Sequence, residues 1–509
     1  MKIFKSIDCK GQVMVTVGIV LVVLVTLTGL AIDSGRAYSV KAKLNAALDA
    51  AGIAAARAVA DGDDEARAAA LTFFNSNYPT DYMESAPVFC PPGGNPTITT
   101  DPNTGDTAIT VWATADMPTL FMRIIGQDNV DVAANTTATR RAVDLAFVVD
   151  NTGSIGSDGP NVRARSIDFV YEFHPNFDRL ALIKYAFGTE VPVKFTSDRG
   201  FDIDNVESEI NAFNFTGGTN CAEAFWNAKH LLNIVNNPAS LRVIVFFTDG
   251  VTNTFASTFY MSDNPSGNPD DLIYDTKHSG SIATSEGGQW AAGFWRHYKV
   301  QDPNKQGSPV SGDSDIGYYW TNIKYNIKKL PQYYNPCQID AIVGGICIDP
   351  HTEDYGSVPS QPNNCGCIDP NQDPYTDPDH PNVFNVINPN HPMRPVTQLT
   401  TNFTTYELYK KINRASRNLL EEMAQKARQQ GIYVYTLGLG GQLDDYMGPV
   451  MENGQQERGE DLLRNMANEE GANTYNPNEP KGIYCHAVTA DDLGPCYNRI
   501  IEEVIRLTI

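Results

Sequence analysis

The first sixty residues carry two hydrophobic patterns laid end to end. Val13 to Ile32 is predominantly apolar and carries no charge, and beyond Asp33 the residues Tyr38, Leu44, Leu48 and Ile53 are set among alanines. A run of about 20 apolar residues, at ~1.5 Å per residue, spans a bilayer core of ~30 Å. The pattern predicts a membrane-spanning helix over 13–32. Alanine has the highest helix propensity, so the helix is expected to continue out of the membrane, with Gly62 as its terminator. A cleaved signal peptide is the other reading of 13–32, but the run is long for one and no A-x-A site follows it, which favours a retained anchor. Lys2, Lys5 and Lys10 precede the run, which places residues 1–12 on the cytoplasmic side and everything after Asp33 on the other. Small residues on the continuing helix suit either a stalk packed on its own domain or close approach by the helices of an assembly.

Residues 33–140 read as this helix followed by a small α+β region. A short helix (Glu65 to Phe74) precedes alternating runs at 97–100, 108–115 and 130–139, and Asn103-Thr104-Gly105 forms a hairpin-like turn. From Ala142 the pattern changes to alternating strands and helices, the signature of a mostly parallel sheet covered on both faces. Strands are expected at 143–149, 180–187, 190–196, 241–248 and 432–438. Helices are expected at 160–173, 203–213, 221–235, 404–430, 459–469 and 490–507. The last domain is therefore 141–509. Its interval 253–402 is far too long for a loop and is rich in Pro, Asn, Asp, Gly and Tyr, as in CIDPNQDPYTDPDHPN. It is read as an inserted, disulfide-stapled subdomain with few long elements.

Bulk composition narrows the function. The chain of 509 residues is 42% hydrophobic and 19% charged, a globular balance, and its length calls for more than one core. A formal charge of −22 argues against a nucleic-acid partner and suits cation binding. Of nine cysteines, Cys9 falls on the inner side and eight lie outside, an even set that points to disulfides in an oxidising compartment. Cys337, Cys347, Cys365 and Cys367 cluster in the insert, and Cys485 and Cys496 lie near the C-terminus. Zinc is the rival for the cluster, though no CxxC repeat or suitably spaced histidine supports it.

The candidate chemistry begins at FVVDNTGSIG, Phe147 to Gly156. An apolar strand stops at Asp150, and hydroxyls follow at Thr152 and Ser154. In an open α/β sheet, ligands bind beyond the carboxyl ends of the strands, where the strand order reverses. Two further turns belong to that edge: one carries Thr219 before the helix at Cys221, and the other carries Asp249 after the strand 241–248. The set Asp150, Thr152, Ser154, Thr219 and Asp249 is all oxygen. Hard oxygen ligands suit Mg²⁺, with Mn²⁺ and Ca²⁺ as alternatives, and two carboxylates leave the cation an open position for an external carboxylate. The competing account makes Thr152 or Ser154 a helix cap and Asp249 a turn residue, with no metal held.

These three pieces, DNTGS (150–154), GGTN (217–220) and TDG (248–250), resemble the von Willebrand factor type A domain and its metal-ion-dependent adhesion site. Thr152 stands where that family usually has Ser. The resemblance implies a Rossmann-like doubly wound domain. It also implies direct hydroxyl ligation by Thr152, Ser154 and Thr219, with Asp150 and Asp249 acting mainly through water. The stretch from Lys10 through Ala58, with Asp33, Gly35 and Arg36, is similar to the start of TadG-like proteins of tight-adherence (Flp) pilus assembly, as is 117–126. That resemblance implies a pilin-like α+β region behind the anchor. It also implies a single-pass protein of the bacterial inner membrane with its C-terminal region periplasmic or extracellular. Counting from Gly11, the fifth residue is Thr16 rather than the Glu of pilins proper, which favours retention as an anchor.

Enzyme signatures are not found. Ser154 is in TGSIG rather than a G-x-S-x-G elbow, no H-E-x-x-H or phosphate-cradling G-x-x-x-x-G-K-[ST] occurs, and His230 lies on an expected helix. The acidic tract from Asp369 to Asp379 lacks EF-hand spacing and reads as solvated loop. The sequence is thus expected to encode a non-enzymatic adhesion or pilus-assembly protein. It would bind a partner's Asp or Glu carboxylate, from pilus or secretion machinery or a surface ligand, through a divalent cation. The alternative is a structural minor-pilin-like subunit whose metal site only stabilises the fold.

Overall fold

The computed structural model describes residues 10–101, 105–186, 188–235, 240–263, 273–285, 290–297, 316–320, 327–334, 342–343, 346–347 and 384–508. The chain divides into two compact units, one running to Ala142 and including Thr508–Ile509, the other Val143–Leu507.

In the first unit, helix α1 runs unbroken from Lys10 to Ala58. From Val13 to Thr28 it is exposed all round; Leu24, for example, is 58% accessible. Such a helix suits lipid, where its backbone bonds are all internal. From Val40 onward one stripe is buried: Val40, Leu44, Ala47, Leu48, Ala51 and Ala55 recur every three or four residues. This stripe and α2 (Asp63–Asn77) cover a four-stranded antiparallel sheet. The sheet comprises β1 (Ala86–Phe89), β2 (Thr97–Thr100), β3 (Thr107–Pro118) and β4 (Asn129–Arg140). Strand β3 alternates strictly, burying Ile109, Val111, Ala113, Ala115 and Met117 towards the helices. The helix can sit close because its contact residues are small: a Cβ on Gly52 would lie 3.4 Å from that of Ala138. The short strand β1 was not anticipated, and residues 102–104 of the expected turn lie outside the described residues.

The second unit is a three-layer α/β structure. Its six-stranded sheet comprises β5 (Val143–Asp150), β6 (Arg179–Tyr185), β7 (Thr189–Val193) and β8 (Leu241–Thr248). The insert carries β9 (Thr254–Asp263), β10 (Ile273–Ser285), β11 (Trp290–His297), β12 (Ile316–Trp320) and β13 (Ile327–Lys329). The main sheet is completed by β14 (Tyr433–Leu439) and β15 (Tyr484–Ala487), giving the order β15-β14-β8-β5-β6-β7. All neighbours are parallel except the edge strand β7. Alternate residues of β5 enter different cores. Leu145, Phe147 and Val149 face α3 (Gly159–Val170), α4 (Ile203–Asn211) and α8 (Leu493–Thr508). Ala146 and Val148 face α5 (Cys221–Val235), α6 (Thr405–Gln429) and α7 (Gly459–Ala467). A strand buried on both faces reads as a continuous apolar run, which is what LAFVV is. Helix α6 starts at a reciprocal cap: Glu407 N–H donates to Thr404 Oγ1, and Thr404 N–H donates to the Glu407 carboxylate.

Two expectations are corrected. The insert has long elements, since β9 spans 10 residues and β10 spans 13, within a five-stranded antiparallel sheet. The Pro- and Asp-rich composition belongs to the tract at 367–382, while the Thr, Ser and aromatic residues of 254–297 favour strands. Nor are all eight external cysteines oxidised: Cys90 and Cys221 are buried free thiols. Cys485 and Cys496 form a disulfide joining β15 to α8. Cys337, Cys365 and Cys367 lie outside the described residues.

Candidate metal centre

The strand order reverses between β5 and β8. The chain moves outward from β5 to β6 and β7, then returns to the other side of β5 as β8. The register pairs Val149 with Phe247 and Asp150 with Tyr185, so Asp150 and Thr248 emerge side by side at the carboxyl edge.

Asp150 is fully buried and its carboxylate is fixed on both oxygens. Oδ1 accepts from the Thr152 N–H at 2.8 Å. Oδ2 accepts from Thr248 Oγ1 at 2.8 Å and from the Tyr185 hydroxyl at 3.0 Å. Thr152 and Ser154 hydroxyls are 2.9 Å apart, and Ser154 Oγ donates to Asp249 Oδ1 at 2.8 Å. Four of the five expected residues thus form one continuous array. Thr219 is brought to the same edge by its loop, but its hydroxyl forms no hydrogen bond with the other four among the described residues. Asn151 secures that loop. Its Oδ1 accepts from the N–H groups of Asn214 and Phe215 at 3.1 and 2.8 Å, and its Nδ2 donates to Asn214 Oδ1 at 3.0 Å. Gly153 N–H also reaches Gly217 O, at 3.3 Å.

Asp150, Thr152, Thr219 and Asp249 are buried, whereas Gly153 and Ser154 are exposed, so the array opens to solvent at one rim. Burial raises both carboxyls above the usual range. Asp249 is pushed up to about 8 by burial first and by the charge of Asp150 second, and Asp158 adds to it. The hydrogen-bond partners of the pair are hydroxyls and backbone amides, with no cationic side chain among the described residues. Two buried carboxylates without a counter-charge, beside three hydroxyl oxygens, are a donor set that fits a hard divalent cation. Among the described residues no group of three or more His, Cys, Asp or Glu could hold a metal, so the hydroxyls would have to complete any coordination.

Sequence reasoning missed Tyr185, Thr248 and Asn151. Thr248 and Asn151 adjoin chosen residues, and their roles follow from pairing and loop contact. Tyr185 could have been found only from the β5–β6 register.

Comparison with known proteins agrees with this architecture. Residues 145–251 match the family model of the von Willebrand factor type A domain. Residues 11–58 match that of the putative Flp pilus-assembly TadE/G-like proteins, so the chain joins a TadE/G-like start to a type A domain. No curated protein matches it. Among solved structures, the pilus adhesin SpaC from Lactobacillus rhamnosus GG is 13% identical with a TM-score of 0.35. That match covers 81% of this chain and 34% of SpaC, so the chain spans about a third of that protein's length. The vWF domain of the type V pili tip protein Mfa5 from Porphyromonas gingivalis is 13% identical, with a TM-score of 0.34 and coverage of 73% of this chain and 98% of that one. Proximal thread matrix protein 1 from the mussel byssus, with a zinc occupied MIDAS motif, is 11% identical, with a TM-score of 0.29 and coverage of 72% and 46%. At these scores the structural similarities carry no weight about activity or partner.

Proposed function

We propose that this is a membrane-anchored, exported protein of tight-adherence (Flp) pilus assembly or adhesion. Its type A domain binds an acidic residue of a protein partner through a divalent cation held by Asp150, Thr152, Ser154, Thr219 and Asp249. The observation that carries the reading is the continuous array from Asp150 to Asp249 at the reversal of strand order, open at Ser154. When bound, a cation such as Mg²⁺ supplies an electrophilic position for the partner's carboxylate. The chain's own residues do the rest. Tyr185 and Thr248 orient the Asp150 carboxylate, Asp150 holds the Thr152 backbone, Asn151 ties down the Thr219 loop, and Ser154 presents its hydroxyl at the rim. The site is read as binding rather than catalytic, because the Thr152 hydroxyl is bonded to that of Ser154, Ser154 is bonded to Asp249, and among the described residues neither is bonded to a histidine. The TadE/G-like segment with its apolar helix supports a single-pass anchor, here placed in the inner membrane with the rest of the chain on the far side.

The second reading, a structural minor-pilin-like subunit, draws on the unbroken helix α1 and its small-residue stripe. The two separate in one experiment on the full chain in nanodiscs. Mg²⁺ and Mn²⁺ binding is measured calorimetrically for the natural chain and Asp249→Ala, and partner capture is then compared with and without chelator. Saturable binding lost in the variant, with capture abolished by chelator, is expected. Capture unaffected by chelator favours the structural subunit, and absence of saturable binding removes the metal from the account.

A further inference from the structure

Residues 119–128 form a loop folded back beside α1. Between them lies an apolar groove of about 250 Å³, walled on one side by α1 from Leu21 to Leu30 and on the other by Phe121, Met122, Ile124 and Ile125. We propose that this loop is a second membrane contact of the chain, and that the groove and the loop's outer face are occupied by phospholipid acyl chains of the leaflet from which α1 emerges. The proposal rests on residues 13–32 spanning a membrane.

Depth is the first reason. Leu21 lies twelve residues below Asp33, so the helical wall of the groove reaches about 18 Å down at ~1.5 Å per residue, past the middle of a ~30 Å core. The loop lies against the upper part of that wall, where Phe121 packs on Gly29, four residues or ~6 Å below Asp33, so it too is inside the core of the nearer leaflet. Its side chains suit the position: Ile124 is 73% and Ile125 65% exposed, next to an α1 face that is equally bare. In water this would be a continuous apolar patch with nothing covering it. The groove is continuous with the membrane-spanning surface, so the solvent of that surface fills it.

The loop's backbone is the second reason. Irregular backbone in lipid survives only where its polar groups are satisfied by protein. Here the carboxylate of Asp33, buried in α1, accepts from the N–H groups of Leu120, Phe121 and Met122 at 2.9, 2.9 and 2.8 Å. Ile124 N–H donates to Phe121 O, Gly126 N–H to Arg123 O and Gln127 N–H to Met122 O. Gly126 closes the turn at φ 92, a conformation that favours glycine. The loop is held against α1 as closely as a residue permits, since a Cβ on Gly29 would collide with the Phe121 ring and its Cβ. Arg36, one turn above Asp33, donates to Pro118 O at 3.1 Å and to Met83 O at 2.9 Å, fixing the loop's base. Arg123 is exposed and has no ion pair among the described residues. Its long stem allows the guanidinium to reach the phosphate layer while the apolar residues beside it stay below.

The test places a photoreactive benzoylphenylalanine at Ile124, at Leu24 or at Asp49 of the full chain. Each protein is reconstituted in vesicles of phosphatidylethanolamine and phosphatidylglycerol that carry a radiolabelled acyl chain. Leu24 reports the span, and Asp49, sixteen residues beyond Asp33, reports the aqueous side. Lipid adducts at Ile124 are expected to match those at Leu24 and to exceed those at Asp49 by about tenfold, as hydrocarbon burial requires. Asp33→Ala, which leaves three loop N–H groups without an acceptor, is expected to lower the Ile124 yield and leave that of Leu24 unchanged. Adducts at Leu24 with background at Ile124 overturn the proposal and leave the anchor standing. Background at both positions overturns both. Protein adducts at Ile124 with lipid adducts at Leu24 assign the groove to another protein chain and also overturn it.

Discussion

Asp150→Ala separates what the carboxylate does for the fold from what it does for a cation. In the metal-free protein the change removes three hydrogen bonds, but two of the donors have a second acceptor within reach. The Tyr185 hydroxyl is 3.2 Å from Phe247 O, and Thr248 Oγ1 is 2.8 Å from Gly250 O. Only the Thr152 N–H is orphaned, at a cost of ~1–3 kcal/mol. Against that, the variant no longer buries a carboxylate next to Asp249, which relieves a penalty of similar size. The net change without metal is therefore expected within about 2 kcal/mol of zero. With Mg²⁺ at ~100 times its dissociation constant the natural chain gains about 2.7 kcal/mol and the variant none. The assay is urea unfolding of the full chain in detergent, followed by tryptophan fluorescence, in EDTA and in MgCl₂ at matched ionic strength. Equal Mg²⁺ responses in the two proteins would refute the assignment of Asp150 to the cation. A variant unfolded even in EDTA would show that the carboxylate is a structural hub, contrary to the bond-by-bond estimate.

Other outcomes follow from the same structure. Asn151→Ala removes no proposed ligand but takes away the side-chain acceptor of the Asn214 and Phe215 N–H groups; it should cost ~2–4 kcal/mol in urea unfolding and weaken Mg²⁺ binding in calorimetry. Lys229 is buried in α5, and burial, then Lys426 and Arg242, lower its ammonium to about 8 from the ordinary 10.5. Above pH 8 the unfolded chain holds the proton that the folded chain has lost, so stability should rise by about 3 kcal/mol between pH 8 and 10.5, a rise absent in Lys229→Met. Comparing the two proteins' unfolding midpoints at pH 7.5 and 10 measures it, and an identical pH response in both would contradict it. Reducing Cys485–Cys496, 11 residues apart, should lower stability by roughly 3 kcal/mol, seen as a fall in the melting temperature, by freeing a short loop in the unfolded state. Cys90 and Cys221 should react with a thiol reagent only after denaturation, because both are buried.

Much of the type A fold was legible because its strands are buried on both faces. LAFVV and VIVFF are uninterrupted apolar runs, and each ends abruptly in an acid or hydroxyl where the chain leaves the sheet. The strand at Tyr484–Ala487 was not legible. It is four residues long at the sheet edge, and its sequence YCHA has neither length nor alternation. The site was legible where local order carries the chemistry, as at Asp150, Thr152 and Ser154. Its tertiary supports were not, since the contact of Tyr185 with Asp150 exists only through the β5–β6 pairing. The Asp33 carboxylate shows the same limit. On a helix an acid reads as a solvent-facing side chain, and only the return of the chain 87 residues later supplies its donors.

The placement of β5 has a mechanical consequence. The chain enters the second unit at Val143, and the proposed ligand edge begins at Asp150, the other end of the same strand. Tension between an anchor and anything gripped at that edge would therefore run lengthwise along β5. The strand is clamped to β6 from Asp144 to Asp150 and to β8 from Val143 to Val149, both parallel. A lengthwise pull would shear these two ladders together, so many backbone bonds share the load and none is unzipped singly. A grip built at the end of an edge strand such as β7 would peel instead. The central strand that gathers the oxygen atoms is also the one best placed to bear a load.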